Sequence, residues 1–203
     1  MTRTLIIMVK EPRPGRVKTR LGRDIGMVSA AWWFRHQCKR LIRNLRDPRW
    51  QIVLAVNPDR AGMTSRIWPR DLVRRHQGPG TLGDRMRRQM RQAVPGPVCV
   101  IGADIPGIRR HHIADAFHAL GQHDAVIGPT PDGGYWLVGL KRPDLATPQV
   151  FSGVRWSTRH AMADTMVSLY SRRVVQIATL RDVDHVTDLR TDCPGQVLLR
   201  MTC

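Results

Sequence analysis

A basic loop and a handful of aspartates are the residues of this chain whose types and spacing could do chemistry. The loop reads Lys10-Glu11-Pro12-Arg13-Pro14-Gly15-Arg16-Val17-Lys18-Thr19-Arg20-Leu21. It follows the continuously apolar run 5–9 and precedes an amphipathic stretch. A strand feeding a loop that opens a helix is where α/β proteins bind phosphate. Gly15 would let the backbone approach a ligand, while Lys18 and Arg20 would neutralise a di- or triphosphate. A Walker A loop is excluded, because it needs glycine directly before Lys-Thr and Val17 stands there. A solvated basic turn that starts a helix accounts for the same residues equally well.

Asp104 carries a more specific signal. It lies just past the apolar run 98–101, on the turn Gly102-Ala103-Asp104-Ile105-Pro106-Gly107. That position puts a carboxylate at the sheet edge where such folds bind ligands. Mg2+ takes one or two protein carboxylates and completes its shell with phosphate oxygens and water. The competing role is an N-cap for a helix starting near Pro106. Asp182-Val183-Asp184 offers further carboxylates, which share a face if the segment is extended. Asp184 would equally cap a final helix.

These groups need elements to position them. Apolar runs at 5–9, 52–56, 98–101, 125–127 and 174–177 alternate with helical periodicity over 28–46, 81–93, 109–120 and 157–170. The alternation predicts βαβ units and a largely parallel sheet, with 5–9 buried on both faces. Residues 71–76 read as a short edge strand, and Thr81-Leu82-Gly83-Asp84 fits a capping box. The turn-rich loop 128–134 joins the run 125–127 to another at 135–140, which suggests an antiparallel insertion and a mixed sheet. Ser157-Thr158 would cap the helix that follows, and a last helix is expected over 184–199. Trp32 and Trp33 read as packing residues.

Composition excludes several classes. At 203 residues, with 42% hydrophobic and 24% charged, the chain is neither disordered nor membrane-spanning, and one domain over 1–203 is the simplest organisation. No apolar run approaches the ~20 residues of a membrane helix. Cys38, Cys99, Cys193 and Cys203 form no metal-ligand spacing, and the histidines form no ligand set, so a cytoplasmic protein with reduced thiols is expected. The net charge of +17 would attract any polyanion. Only four of the 33 basic residues are lysines, however, and the arginines are dispersed, so no specific nucleic-acid partner is expected.

Several blocks occur in order: Lys10-x-Pro-x-Pro-Gly-x-x-Lys-Thr-Arg-Leu21, Gln77-x-x-Gly80-x-Leu-Gly-x-Arg85-Met86, Gly102-x-Asp104-x-Pro106, Gly128-Pro-x-x-Asp132-Gly-Gly-Tyr135-x-Leu-x-Gly-Leu140, Trp156-Ser-Thr158 and Asp182-Val-Asp184-x-x-x-Asp188-Leu189. Together they resemble the DUF2064 family, the "transferase 1" proteins of the nucleotide-diphospho-sugar transferase (GT-A) superfamily. Some of these are associated with radical-SAM and selenium or arsenosugar gene contexts. The guanylyltransferases of molybdenum cofactor and of phospholactate look like more distant relatives.

The resemblance implies a single-domain GT-A-like α/β fold, a mostly parallel mixed sheet flanked by helices. It implies that Pro14, Gly15, Lys18 and Arg20 hold the nucleotide's phosphates and that Gln77, Gly80 and Arg85 lie near base and ribose. Asp104 would bind Mg2+ or Mn2+, as the single-carboxylate counterpart of the superfamily's Asp-x-Asp, with Asp184 as second metal position. Asp132, Gly133, Gly134 and Tyr135 would line the sugar or acceptor side, with Asp132 the candidate base. Trp156 could stack on a base or sugar, or belong to the core. The sequence departs from the family at Thr81, where Asp is usual, and at Ile105-Pro106-Gly107, which removes a possible second carboxylate. His185-Val186-Thr187 likewise replaces a usual Thr-Pro-Glu. The expected reaction is metal-dependent glycosyl transfer from a nucleoside-diphosphate sugar to a small acceptor. The alternatives are nucleotidyl transfer from a nucleoside triphosphate and, from another class, a non-enzymatic basic protein that binds nucleic acid.

Overall fold

A computed structural model of the chain describes residues 1–191. Strands β1 (Thr4–Lys10), β2 (Gln51–Asn57), β3 (Val73–His76), β4 (Val98–Gly102), β5 (Ala125–Pro129), β6 (Tyr135–Leu140) and β7 (Val174–Gln176) form a sheet in the order β3-β2-β1-β4-β6-β5-β7. The helices are α1 (Thr19–Ile25), α2 (Met27–Asn44), α3 (Asp59–Thr64), α4 (Leu82–Arg91), α5 (Arg110–Gln122), α6 (Ala161–Ser168) and α7 (Asp188–Thr191).

β1 is central because its apolar run is covered on both faces: Leu5, Ile6, Ile7 and Val9 are each at most 1% exposed. Strand alternation divides them between two layers. Leu5, Ile7 and Val9 join a core with Phe34, Cys38 and Leu41 of α2 and Ile113 and Phe117 of α5. Ile6 faces the other way, toward Met86 and Met90 of α4 and Ala161 of α6. β1 pairs in parallel with β2 and β4, β2 with β3, and β5 with β7, while β6 runs against both β4 and β5. The strand order reverses at β1, so a crevice opens beyond the C-terminal ends of β1 and β4. The loop after β1 and the turn bearing Asp104 meet there.

Several expectations are refined. The capping box forms: Thr81 Oγ1 accepts from the Asp84 N–H at 3.2 Å and Asp84 Oδ2 accepts from the Thr81 N–H at 3.0 Å. The helix expected from Ser157-Thr158 begins instead at Ala161, because Ser157 sits at φ 60° and the Thr158 hydroxyl donates to the Arg155 carbonyl, which makes a turn of this stretch. Two short helices, α1 and α3, were not expected from the periodicity. The helix expected over 184–199 is seen only as α7, and the remainder, with Cys193 and Cys203, lies outside the described residues. Trp33 packs on the core, but Trp32 does not: it is 62% exposed. Cys38 and Cys99 are free and buried. No helix among the described residues is long and apolar enough to cross a membrane.

Candidate functional site

The loop after β1 is shaped by two left-handed residues. Gly15 adopts φ 70° in open space, and Lys18, which carries a side chain, adopts φ 45°. That conformation costs a non-glycine residue about 1–2 kcal/mol. It is offset by where it sends the ammonium. The Lys18 side chain is 7% exposed, and its Nζ lies 2.8 Å from Asp104 Oδ2 and 2.9 Å from Asp184 Oδ1. Arg20, the second residue of α1, donates to Asp184 Oδ2 at 2.6 Å.

Asp104 follows β4 directly, whereas Asp184 arrives from the far end of the chain. The segment after β7 is strapped across the strand ends by the Ile177 N–H to the Ile127 carbonyl, Leu180 to Pro129 and Val183 to Asp104. Trp136 Nε1 adds a hydrogen bond to the Ala178 carbonyl at 2.9 Å. Val183 is fully buried, which leaves Asp182 and Asp184 lining the same cleft.

This geometry decides both capping alternatives. α5 starts at Arg110, too far on for Asp104 to cap it. Asp184 spends its carboxylate on Lys18 and Arg20, while Asp188 Oδ2 accepts the Asp184 and His185 N–H groups.

Charge and burial set the protonation states. Burial pushes the Lys18 ammonium down, but Asp104 and Asp184 outweigh it and hold the group above the ordinary lysine value. Burial likewise raises the Asp184 carboxyl, and Lys18 and Arg20 reverse this to leave it below the ordinary value. Asp182 is the opposite case. Burial, then the Asp104 charge, push its carboxyl up to about 6, with Lys18 opposing and Asp184 and Asp132 adding to the rise. The resemblance gives Asp182 no role, although the Asp-x-Asp spacing in an extended segment signals it.

The cleft holds about 640 Å3. Among the residues singled out from sequence, Lys18, Arg20, Asp104, Asp132, Gly134, Tyr135, Trp156 and Asp184 line it together. Asp132 sits on a tight turn in which its Oδ1 accepts the Thr130 hydroxyl and the Gly134 N–H. Gly133 stands at φ 85°, where a Cβ would overlap the Arg159 carbonyl oxygen. Burial pushes the Tyr135 phenol up, and its oxygen accepts from the Thr165 hydroxyl at 3.3 Å. Trp156 makes edge-to-face contacts with Tyr135 and Phe151.

Pro14, Gly15, Gln77, Gly80, Arg85 and Gly133 do not line the cleft. Gln77 is buried and donates through Nε2 to the carbonyls of Val9 and Ala55, which ties β1 to β2. Arg85 donates to the Gly80 carbonyl, and from this block Leu82 and Met86 face the cleft instead.

Among the described residues, no three His, Cys, Asp or Glu side chains are placed to hold a metal unaided. The donor chemistry still suits a hard cation: Asp104, Asp182 and Asp184 offer only oxygens. Burial first and then the neighbouring carboxylates raise Asp182, and an added positive charge would offset both. Because Lys18 already stands between Asp104 and Asp184, the residues fit a metal that arrives with phosphate oxygens of its own.

The family model described as "Uncharacterized protein conserved in bacteria (DUF2064)" matches residues 41–158. The chain is similar to a solved structure from Desulfovibrio desulfuricans G20, provisionally named a nucleotide-diphospho-sugar transferase. Their identity is 30% and the TM-score 0.84, over 94% of this chain and 86% of that one. A CMP:2-keto-3-deoxy-manno-octonic acid synthetase complexed with CTP shares the fold at 12% identity and a TM-score of 0.57, over 94% and 96% of the two chains. Rv0371C from Mycobacterium tuberculosis H37Rv, complexed with manganese, does so at 16% identity and a TM-score of 0.51, over 94% and 97%. No curated protein matches the sequence.

Proposed function

The chain belongs to the DUF2064 family, and from that premise we propose that it is a transferase for a nucleotide-activated donor, moving a glycosyl group from a nucleoside-diphosphate sugar to a small acceptor. The observation that carries this reading is the buried Lys18 ammonium, held at the switch point of a mostly parallel, mixed sheet by Asp104 and Asp184. The name of the D. desulfuricans relative and the CTP bound by the synthetase support a nucleotide donor.

In this reading the acceptor oxygen attacks the anomeric carbon. The bond from that carbon to the diphosphate breaks, and its electron pair leaves with the nucleoside diphosphate. Lys18 and Arg20 offset the charge that develops there. Asp132 takes the acceptor's proton: its Oδ1 is fixed by Thr130 and Gly134, which leaves Oδ2 for the acceptor. Asp104 with Asp184, and Asp182 beside them, would hold Mg2+ or Mn2+, which when bound supplies further positive charge to the phosphates. Leu82, Met86 and Trp156 offer the apolar wall for base or sugar, while Gln77 supports the strand ends beneath. Residues 1–203 act as one catalytic unit. A cytoplasmic setting agrees with the free thiols of Cys38 and Cys99.

A second reading, nucleotidyl transfer, is favoured by how deep Lys18 lies. A cation at the crevice floor also suits an α-phosphate under attack by a phosphorylated acceptor, with pyrophosphate leaving. A thermal-shift panel of UDP-, GDP-, ADP- and CDP-sugars and nucleoside triphosphates, with and without Mn2+, tests both. Stabilisation by a nucleotide sugar, with nucleoside diphosphate then released to an acceptor, supports the first. Stabilisation by a triphosphate with pyrophosphate release supports the second, and no stabilisation by any member argues against a nucleotide donor. Asp104→Asn should abolish the metal-dependent part of the shift; a metal-dependent shift of unchanged size would remove Asp104 from the metal site.

A further inference from the structure

The solvent side of α2 carries Trp32, His36, Lys39 and Arg43, and Arg46 follows just past its C-terminal end. The four helical positions fall within roughly 60° of arc and extend along about 16 Å. The segment between α3 and β3 faces them with Arg66 and Arg70. The two elements wall a groove of about 750 Å3, which Arg40 and Trp68 also line. It is separate from the crevice at the strand ends, with which it shares no lining residue. Arg46 pairs with Asp71, but Lys39, Arg40, Arg43, Arg66 and Arg70 have no carboxylate partner among the described residues. At the groove's end Trp32, 62% exposed, stacks on His36 with ring centroids 3.9 Å apart. Cations dispersed in sequence are thus gathered by the fold, beside an aromatic pair that the core does not use.

We propose that this groove binds single-stranded nucleic acid without sequence preference, its phosphates along Lys39, Arg43, Arg66 and Arg70 and a base on the Trp32–His36 pair. A row of unpaired cations tracking an extended polyanion next to a stacking surface is how such sites are built. A bilayer surface would need a protruding apolar face, and a duplex, its bases stacked within the helix, would leave the Trp32–His36 pair unused. This surface is concave, with its cations on the walls. The inference does not rest on the transferase reading.

Fluorescence anisotropy of the full chain with a labelled oligothymidylate about twelve nucleotides long, over a salt series, tests it. Four phosphate contacts predict a slope of log affinity on log salt of about −3. The triple variant Arg43→Ala, Arg66→Ala, Arg70→Ala should bind at least tenfold more weakly, with a slope near −1. Trp32→Ala should weaken binding about tenfold at unchanged slope. The control triple Arg91→Ala, Arg142→Ala, Arg172→Ala removes the same charge outside the groove and should bind like the parent. Thermal midpoints of all variants establish that they fold, and Trp32→Ala serves if the groove triple does not. Equal weakening by both triples would overturn the proposal in favour of bulk charge. Unchanged binding by the groove triple and Trp32→Ala would overturn it as well. So would a parent that sediments with phosphatidylglycerol vesicles and ignores the oligonucleotide.

Discussion

Replacing Lys18 by methionine removes the crevice's central charge while keeping an unbranched stem of similar length. Breaking a fully buried ion pair by deleting one partner costs about 3–5 kcal/mol. Lys18 is 7% exposed, but Asp104 and Asp184 are 34% and 31% exposed, so water offsets part of the loss. The expected destabilisation is about 2–3 kcal/mol. For a chain of 203 residues that lowers the thermal midpoint by roughly 4–12 °C. Its pH dependence has a definite shape. The Asp184 carboxyl is held below its ordinary 3.8, so its contribution is present above that value and is lost as pH falls through the folded one. The Lys18 ammonium is held above 10.5, so its contribution is present below that value and is lost as pH rises through the folded one. Lys18 also holds down the Asp182 carboxyl, which titrates at about 6. The gap between parent and Lys18→Met, measured by urea unfolding, should therefore keep its full size between roughly pH 7 and 10 and shrink outside that window. A gap under about 0.5 kcal/mol at neutral pH, or one that widens in acid, would refute the assignment of Lys18 as the charge that holds the two carboxylates together.

Asp182→Asn should act with the opposite sign. A carboxyl raised from 3.8 to about 6 contributes stability below pH 4 and loses it as pH rises through 6, so the non-titrating variant overtakes the parent between those values. The full shift would be worth about 3 kcal/mol, and for a half-buried group about 1–2 kcal/mol is expected at pH 7.5. A separation in urea midpoint that is the same at pH 4 and 7.5 would count against the burial and repulsion described for Asp182. Gly133→Ala should destabilise by about 2–4 kcal/mol, because it combines a left-handed backbone with overlap on the Arg159 carbonyl. If Asp132 is the base, the same variant should lose kcat more than KM, and an unchanged thermal midpoint would show that the turn is not constrained as described.

What could be read from sequence and what could not divides along physical lines. The runs 5–9, 52–56 and 98–101 were legible as strands because a parallel strand covered on both faces is apolar at every position. The 128–134 turn was legible because its prolines fix φ and its glycines admit the left-handed backbone a turn needs, and it does join the antiparallel pair β5 and β6. α1 and α3 were not, since seven and six residues carry too little periodicity to separate them from loop. Lys18 and Asp104 were visible as chemistry, but not as partners: local pattern cannot report a contact across 86 positions, nor the depth at which Asp182 lies. Trp32 misled for a related reason. Its spacing matches the buried positions of α2 closely enough, yet only the packed helix shows which side of that stripe faces water.

The strap that carries Asp184 across the strand ends also sets a timetable. Lys18 and Asp184 are 166 positions apart, and a ribosome adds about 5–20 residues per second. Some 10–30 s therefore separate the emergence of the crevice's cation from that of its last carboxylates, by the same rate. Through that interval the nascent chain presents Lys18 and Arg20 as unneutralised charges beside a sheet that still lacks β7. A half-made copy can attract a polyphosphate but has no Asp182 or Asp184 with which to complete the crevice around it. Competence comes only once residue 184 has emerged and the strap closes over the ends of β4 and β5.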